Sequence, residues 1–410
     1  MTGFVGSSGR CRPTRISLGI VGIGIAAISA YLPVLATSED FELTALCDTN
    51  PDRLVCAREW PESAATQDLD ELLRVKGLQA VIIATPPDSH VKVALKSIAA
   101  GKHVLIEKPL APTVNGAEKI LEAARRAGVR VAVNHEKRFH PTLRKISGLL
   151  KESIGRPYFF GVHWASNVKL APESFVPEGF APGYRWRWSS PAVGGGIVQD
   201  HLPHYVDLIQ NWTGAKPTAV YAQLFNIARD MLAWPAAESV WEDMGLVITR
   251  FSNGAVLRLE TGVVGRSLSP LWSLGSGVGE WTEYGYVLGT QGQLVFDLLP
   301  WDSSENGRIA LWELRRAQDA GTGWAFVEQP EPARRRGSPA GAAHAMFSDQ
   351  LAEFARLVQG EPSTIATGED GLATVAAVEA AYKSVANGSE CELRRLLPDI
   401  YRTTLENFRA

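Results

Sequence analysis

Cysteine is scarce in this chain: Cys11, Cys47, Cys56 and Cys391 are the four in 410 residues. None stands in a C-x-x-C pair or at a zinc-ligand spacing, so no dithiol redox motif and no metal site is expected. Scattered thiols suit a reducing compartment, and a cytoplasmic location is expected. A charge excess is also missing. With 41 basic and 44 acidic residues the formal net charge is −3, which leaves no electrostatic reason to expect nucleic acid or an anionic membrane as partner. The short run Arg334-Arg335-Arg336 reads as a solvated loop. A clean membrane-spanning run is the third absence. The twenty-one uncharged residues from Ile16 to Ala36 follow Arg10, Arg12 and Arg15, which imitates a secretory signal. Gly19, Gly22, Gly24 and Pro33 interrupt them, and they divide into a strand, a glycine turn and a helix. Residues 1–13 then form a short polar leader.

What is present begins with length. A chain this long exceeds one ordinary core, and two domains are expected, with boundaries at 14–150 and 151–410. In the first, short apolar strands (Ile16–Val21, Phe41–Cys47, Ala80–Ala84, Val104–Ile106, Arg130–Asn134) alternate with helical stretches (Ile25–Thr37, Leu69–Val75, Val91–Ala100, Thr113–Ala127). That alternation predicts an α/β fold with a parallel sheet covered on both faces. Gly101 and Gly128 are helix stops. Beyond residue 150 the strands lengthen: Pro157–Ser166, Pro217–Phe225, Gly245–Phe251, Ala255–Thr261 and Tyr286–Phe296. Asn253-Gly254 marks a hairpin. The second domain is therefore expected to be α+β with a largely antiparallel sheet. Helices near Ala345–Gln359 and Gly371–Val385 follow and are placed to pack back on the first domain. The stretch 302–343 reads as irregular or an inserted loop.

Gly22-Ile23-Gly24-Ile25-Ala26-Ala27 follows the first strand and opens the first helix. Gly22 permits the tight turn, Gly24 admits a pyrophosphate to the backbone, and the helix N-terminus favours its charge. Asp48 ends the next strand. It would accept hydrogen bonds from an adenosine ribose and repel a 2′-phosphate. Thr49-Asn50-Pro51 place no cation beside it, so NAD is expected in preference to NADP.

Two distant segments supply the chemistry: Glu107-Lys108-Pro109, and Gly194-Gly195-Gly196 running into Asp200, His201 and His204. On a helix Asp200 and His204 share one face. Hydride leaves a secondary alcohol carbon only as the hydroxyl loses its proton. His204 suits the general base, with an unperturbed pKa of about 6.5. Lys108 can stabilise charge on the reacting oxygen, and Asp200 can orient substrate or tune the relay. Lys108 as the base, with His204 positioning, stays open. His201 is a second histidine placed for substrate.

With these residues the chain resembles the Gfo/Idh/MocA oxidoreductase family, which includes glucose–fructose oxidoreductase and inositol dehydrogenases. The likeness runs from about residue 16 to about 385. Its most specific stretches are Ala84-Thr85-Pro86-Pro87-Asp88-Ser89-His90, Gly101 through Leu110, and Gly194 through Asp207. Arg138-Phe139-His140-Pro141 and Ile154-Gly155-Arg156-Pro157 share it. The resemblance implies a Rossmann domain followed by an open-faced sheet domain, with substrate between them. It implies that Lys108, Asp200 and His204 are catalytic. It also implies that Thr85, Pro86, His90 and Glu107, with Gly22, Ile23, Gly24, Ile25, Asp48 and Lys108, line the dinucleotide. Arg138 and Trp186 join Lys108, Asp200, His201 and His204 as expected substrate contacts.

Tyr31 departs from the resemblance, since many members carry histidine there. The change is expected to alter packing, not chemistry. The chain is also longer than a minimal member, with Trp272, Trp281 and Tyr284 in the excess. The expected activity is NAD-dependent dehydrogenation of a sugar, glycoside, aminosugar or cyclitol by a homodimer or homotetramer. Alternatives are a sugar–sugar oxidoreductase with tightly held cofactor and a non-catalytic dinucleotide-binding regulator.

Overall fold

The computed structural model describes residues 15–166, 194–226, 242–262, 281–298, 308–315, 323–328 and 342–397. The expected leader 1–13, Trp186 and Trp272 lie outside the described residues.

Buried apolar runs build the first sheet. β1 (Ile16–Val21) leads through a π-helical turn, Ala27–Tyr31, into α1 (Leu32–Leu35). β2 (Phe41–Cys47), β3 (Ala64–Thr66), α2 (Leu69–Leu73), β4 (Ala80–Ile83) and α3 (Pro87–Ala99) follow. β5 (His103–Glu107), α4 (Val114–Ala127), β6 (Val131–Asn134) and α5 (Pro141–Leu149) complete the run. The strand order is 3-2-1-4-5-6, and every one of these neighbours pairs parallel. All four residues of β4 are buried, as a central parallel strand requires. This order is the doubly wound dinucleotide fold. Its strand order reverses between β1 and β4, which is where such sheets open a crevice.

Two helical expectations change. The first helix does start at Ile25, but it passes through a π segment, Ala27–Tyr31, before α1, where Pro33, which has no N–H to donate, sits in the first turn. α3 starts earlier than its apolar pattern suggests, because Pro87 occupies its first turn, where a missing N–H costs nothing.

The second sheet begins at β7 (Pro157–Ser166). α6 (Ile197–Thr213), β8 (Pro217–Phe225), β9 (Met244–Phe251) and β10 (Val256–Gly262) follow. β11 (Trp281–Gly289), β12 (Gly292–Leu298), β13 (Arg308–Arg315) and β14 (Gly323–Glu328) extend it. Then come α7 (Ala342–Gln359), β15 (Ala366–Thr367), α8 (Gly368–Asn387) and β16 (Cys391–Glu392). The sheet runs 14-13-12-11-7-10-9-8-16, with β7–β10 its parallel pair among antiparallel neighbours. β9 and β10 join through Asn253-Gly254, with Gly254 at φ +83.

Two expectations fail here. Tyr286–Phe296 is not one strand but the two arms of the β11–β12 hairpin, joined through Thr290-Gln291. Apolar alternation on both arms hides that turn. The stretch 302–343 contains two strands, β13 and β14, short apolar runs set in sequence rich in Gly, Pro, Arg, Glu and Ala.

α8 packs on α6, α4 and β8, and α7 packs on the first helical turns and on the turn after β6. β15 pairs antiparallel with β6, adding a seventh strand to the first sheet. The late helices thus tie both sheets together around the ends of β5 and β6.

Candidate active site

The site assembles where the C-terminal ends of the parallel strands face α6. Gly22 closes β1 at φ +92. A Cβ there would stand 2.7 Å from the Ala84 carbonyl carbon and 2.8 Å from the Thr85 nitrogen, so no side chain fits between β1 and the β4–α3 turn. Gly24 is different: a Cβ there meets nothing within 4 Å, which leaves open space above a helix start, a position that favours an anion. Asp48 accepts from the Ile23 N–H at 2.7 Å and the Asn50 N–H at 2.8 Å, which fastens β2 to the glycine turn. One correction follows. Arg53 lies 3.7 Å from Asp48, so Asp48 does have a cation nearby, brought by the 3-10 turn Pro51–Glu59.

Thr85 and Pro86 sit at the mouth of this crevice, with the Thr85 hydroxyl accepting from Ser89 at 2.6 Å. His90 is corrected. Fully buried, it has Nδ1 2.9 Å from the Pro109 carbonyl and Nε2 2.9 Å from the Thr85 carbonyl. Both ring nitrogens bind backbone, so His90 braces the two loops against each other and presents nothing to a dinucleotide. Glu107 is half-buried and accepts from Tyr31 Oη at 2.9 Å and Asn134 Nδ2 at 2.5 Å. Tyr31 therefore does more than pack: its hydroxyl orients Glu107.

Lys108 leaves the end of β5 and crosses to α6. Its Nζ donates to the Asp200 carbonyl at 2.7 Å and also to the Asp200 carboxylate. α6 is placed by its own start. Glu242 accepts from the Val198 N–H at 3.0 Å and from Tyr382 Oη at 2.8 Å. Gly196, at φ +104, leaves room for both; a Cβ would lie 2.6 Å from each. Burial pushes the Glu242 carboxyl up to about 7.

One turn beyond Asp200, His204 is buried between the domains. Its Nδ1 has no hydrogen-bond partner among the described residues and lies 3.7 Å from Glu136 Oε1. The ring of His135 meets it edge-on at 6.3 Å. Burial, then the charges of Lys108 and Lys137, hold His204 well below the usual histidine range. Lys108, Asp200 and His204 thus come together.

Arg138 does not join them, which corrects that expected substrate contact, whereas His201 holds its Nε2 4.0 Å from the Asp200 carboxylate. His201 stacks on Trp164 at 3.7 Å, and its Nδ1 is 3.0 Å from both the Ile197 carbonyl and Thr261 Oγ1. Burial pushes it down to about 3. Arg138 is buried and bidentate to Asp207 at 2.7 and 2.6 Å, with further bonds to Asp370 and the Thr364 carbonyl. Its donors are committed to fold contacts. Beside it, Lys137 pairs with buried Glu283 at 2.6 Å, and Tyr205 donates to the same carboxylate.

Sequence reasoning overlooked Glu136, His135, Glu242 and Glu283. Glu136 and His135 carried a signal: a polar run, Asn134 to Arg138, directly after a buried parallel strand, at the sheet end where ligands bind.

Residues 16–135 match the model of the oxidoreductase family with NAD-binding Rossmann fold, and residues 147–393 match that family's C-terminal alpha/beta domain. The chain belongs to this family, Gfo/Idh/MocA. Among curated relatives, 1,5-anhydro-D-fructose reductase of Ensifer adhaerens is 27% identical over 355 residues, covering 86% of this chain and 91% of that protein. Inositol 2-dehydrogenase of Acidiphilium cryptum is 30% identical over 198 residues, covering 48% of this chain and 53% of that protein. The chain spans about half the length of several of the curated relatives it matches. An Agrobacterium radiobacter oxidoreductase, solved with NAD+, L-tartaric acid and magnesium, superposes with a TM-score of 0.71 at 19% identity, over 94% of this chain and 100% of that one. That likeness concerns the fold. Among the described residues, no helix is long and apolar enough to cross a membrane.

Proposed function

We propose that this Gfo/Idh/MocA chain is an NAD-dependent dehydrogenase acting on a secondary hydroxyl, or its ketone, in a sugar, glycoside, aminosugar or cyclitol. The observation that carries the reading is the bridge from Lys108 to Asp200, with His204 one turn further on the same helix. Polyhydroxylated rings are favoured because the relatives named above include a reductase of an anhydro sugar and an inositol dehydrogenase.

A nicotinamide dinucleotide, when bound, supplies the hydride acceptor or donor. Gly22, Gly24 and the helix start after them hold its pyrophosphate, Asp48 its adenosine ribose, and Thr85 and Pro86 border it. Lys108, fixed by Asp200, donates a hydrogen bond to the reacting oxygen and stabilises negative charge as it develops. His204 takes the hydroxyl proton at Nε2 during oxidation and returns it during reduction. Burial keeps its imidazole neutral at neutral pH, the state a base needs. A sugar and cyclitol panel with NAD, read by cofactor absorbance, tests the activity. Turnover of no member of the panel, with cofactor bound, would count against it.

NAD should bind more tightly than NADP, because Asp48 repels a 2′-phosphate. Arg53 offsets part of that repulsion, and the margin should be correspondingly modest. Calorimetry with both cofactors measures it, and Asp48→Ala should narrow the gap. Equal binding by the unmodified protein would refute the preference.

A dimer or tetramer is expected through the open face of the second sheet. Phe159 and Tyr286 stack there at 6.0 Å, and His163 and Tyr284 at 4.9 Å. Such a broad half-apolar face is a natural association surface. Light scattering at micromolar concentration should give twice or four times the chain mass; a monomer mass would rule this out.

A further inference from the structure

We infer that Glu136 is a positioning residue for the reaction, its carboxylate facing Nδ1 of His204 and fixing both the tautomer and the charge of that ring. The inference rests on the reading of His204 as the base. Three observations carry it. Glu136 and His204 are both buried, and they come from different domains. The Glu136 Oε1 to His204 Nδ1 separation is 3.7 Å, so a small rotation of either side chain makes a hydrogen bond. His204 Nδ1 is sealed from solvent and has no hydrogen-bond partner among the described residues, an unfavourable state for a buried polar group that a hydrogen bond relieves.

The surroundings explain why a carboxylate is needed. His204 faces Lys108 and Lys137, both of which oppose a positive imidazole, and His135 beside it. Asp200 favours the charged ring, but its carboxylate is engaged by Lys108. Glu136 is the further acid placed against Nδ1. Around Glu136 stand Lys137 and Lys108, which favour its ionised form, and Glu107, which opposes it. Tyr31 and Tyr205, which both feel the Glu136 charge, are held in their neutral forms by burial and adjacent carboxylates. Burial pushes Glu136 up to about 7. At lower pH the shared proton rests on the carboxyl. Above about pH 7 the ionised carboxylate accepts from Nδ1–H, which leaves the Nε2 lone pair for the substrate hydroxyl. When oxidation breaks the alcohol O–H bond, the proton joins Nε2 and the carboxylate balances the imidazolium. The C–H electron pair leaves as hydride to the nicotinamide of the proposed activity.

The test is Glu136→Gln beside His204→Ala, in the full chain with NAD and whichever ring alcohol the panel identifies. Glu136→Gln should lower kcat by about 10²–10⁴-fold, the span from a typical acid–base contribution to loss of an orienting carboxylate, with KM and NAD affinity nearly unchanged. The rise of the oxidation rate through an ionisation near pH 7 should disappear. Glu136→Asp should keep that ionisation and recover part of kcat. If His204→Ala loses activity while Glu136→Gln keeps normal kcat and pH profile, the inference about Glu136 falls and the base assignment stands. If both variants are normal, the base assignment itself falls. A measurement on the unmodified protein covers the case where Glu136→Gln does not fold. The 15N shifts of His204 should show Nδ1 protonated above pH 8, and an unprotonated Nδ1 there overturns the inference.

Discussion

Lys108→Ala and His204→Ala should each cut turnover by about 10²–10⁴-fold, the usual worth of a positioned acid–base or charge-stabilising group. Their other effects should differ, because the two residues come from different domains. His204 is carried by α6, so its loss should leave dinucleotide affinity intact. Lys108 extends from β5, at the dinucleotide crevice, and also bridges to Asp200. Its loss should weaken cofactor binding and free α6 from one of its anchors. The pH profile separates the base from the electrostatic partner. A base works deprotonated, so the oxidation rate rises as pH climbs through its ionisation and falls away below it. With His204 as the base, the ionisation near pH 7 belongs to the His204–Glu136 pair, so it should vanish in His204→Ala and persist in Lys108→Ala. Near-normal turnover and an unchanged profile in His204→Ala would transfer the role to Lys108. Normal turnover in both would make the bridge structural and remove the main support for a dehydrogenase.

Much of this arrangement was legible in the residues because it depends on local rules. β1, β2, β7 and β8 have the ends that their apolar patterns mark. The approach of Lys108 to Asp200 was foreseeable from motifs at the ends of a strand and a helix. What escaped is mostly long-range pairing. Nothing near Arg138 announces Asp207 and Asp370, and nothing near Val198 announces Glu242, 44 residues on. Polar residues with buried partners look the same in sequence as polar residues in water. Arg138 therefore reads in the sequence as a substrate contact, though its partners are Asp207 and Asp370. The β11–β12 turn was missed for a different reason. Its Gly-Thr-Gln-Gly connection lacks the Asn-Gly signal that marked β9–β10, and its fit depends on the Ile154–Arg156 turn, which accepts the N–H groups of Thr290 and Gln291.

The assignment of Arg138 to the fold makes the second large prediction. Its guanidinium joins the turn after β6 to Asp207 on α6 and to Asp370 at the start of α8, while Lys216 holds the other Asp370 oxygen at 2.7 Å. Three elements from both sheets meet in this one ion network. Arg138→Ala leaves Asp207, 0% exposed, without its bidentate partner, and an uncompensated buried charge of this kind costs about 3–5 kcal/mol. Urea unfolding should show that loss as a lower midpoint, and the same loss should appear with NAD absent, which a substrate contact would not produce. Arg138→Lys should recover only part of it, since an ammonium cannot bond both Asp207 oxygens in a planar fork. The network also sets a pH dependence. Burial raises the Asp370 carboxyl, but Arg138 and Lys216 outweigh it and hold the group below the ordinary carboxylate range. A depressed acid contributes stability that is complete above its unfolded pKa, about 3.9, and is lost as pH falls towards its folded value. The stability gap between the unmodified protein and Arg138→Ala should therefore be widest near neutrality and shrink below about pH 4. A gap under about 1 kcal/mol at pH 7, together with a raised KM for the ring alcohol, would return Arg138 to the substrate pocket.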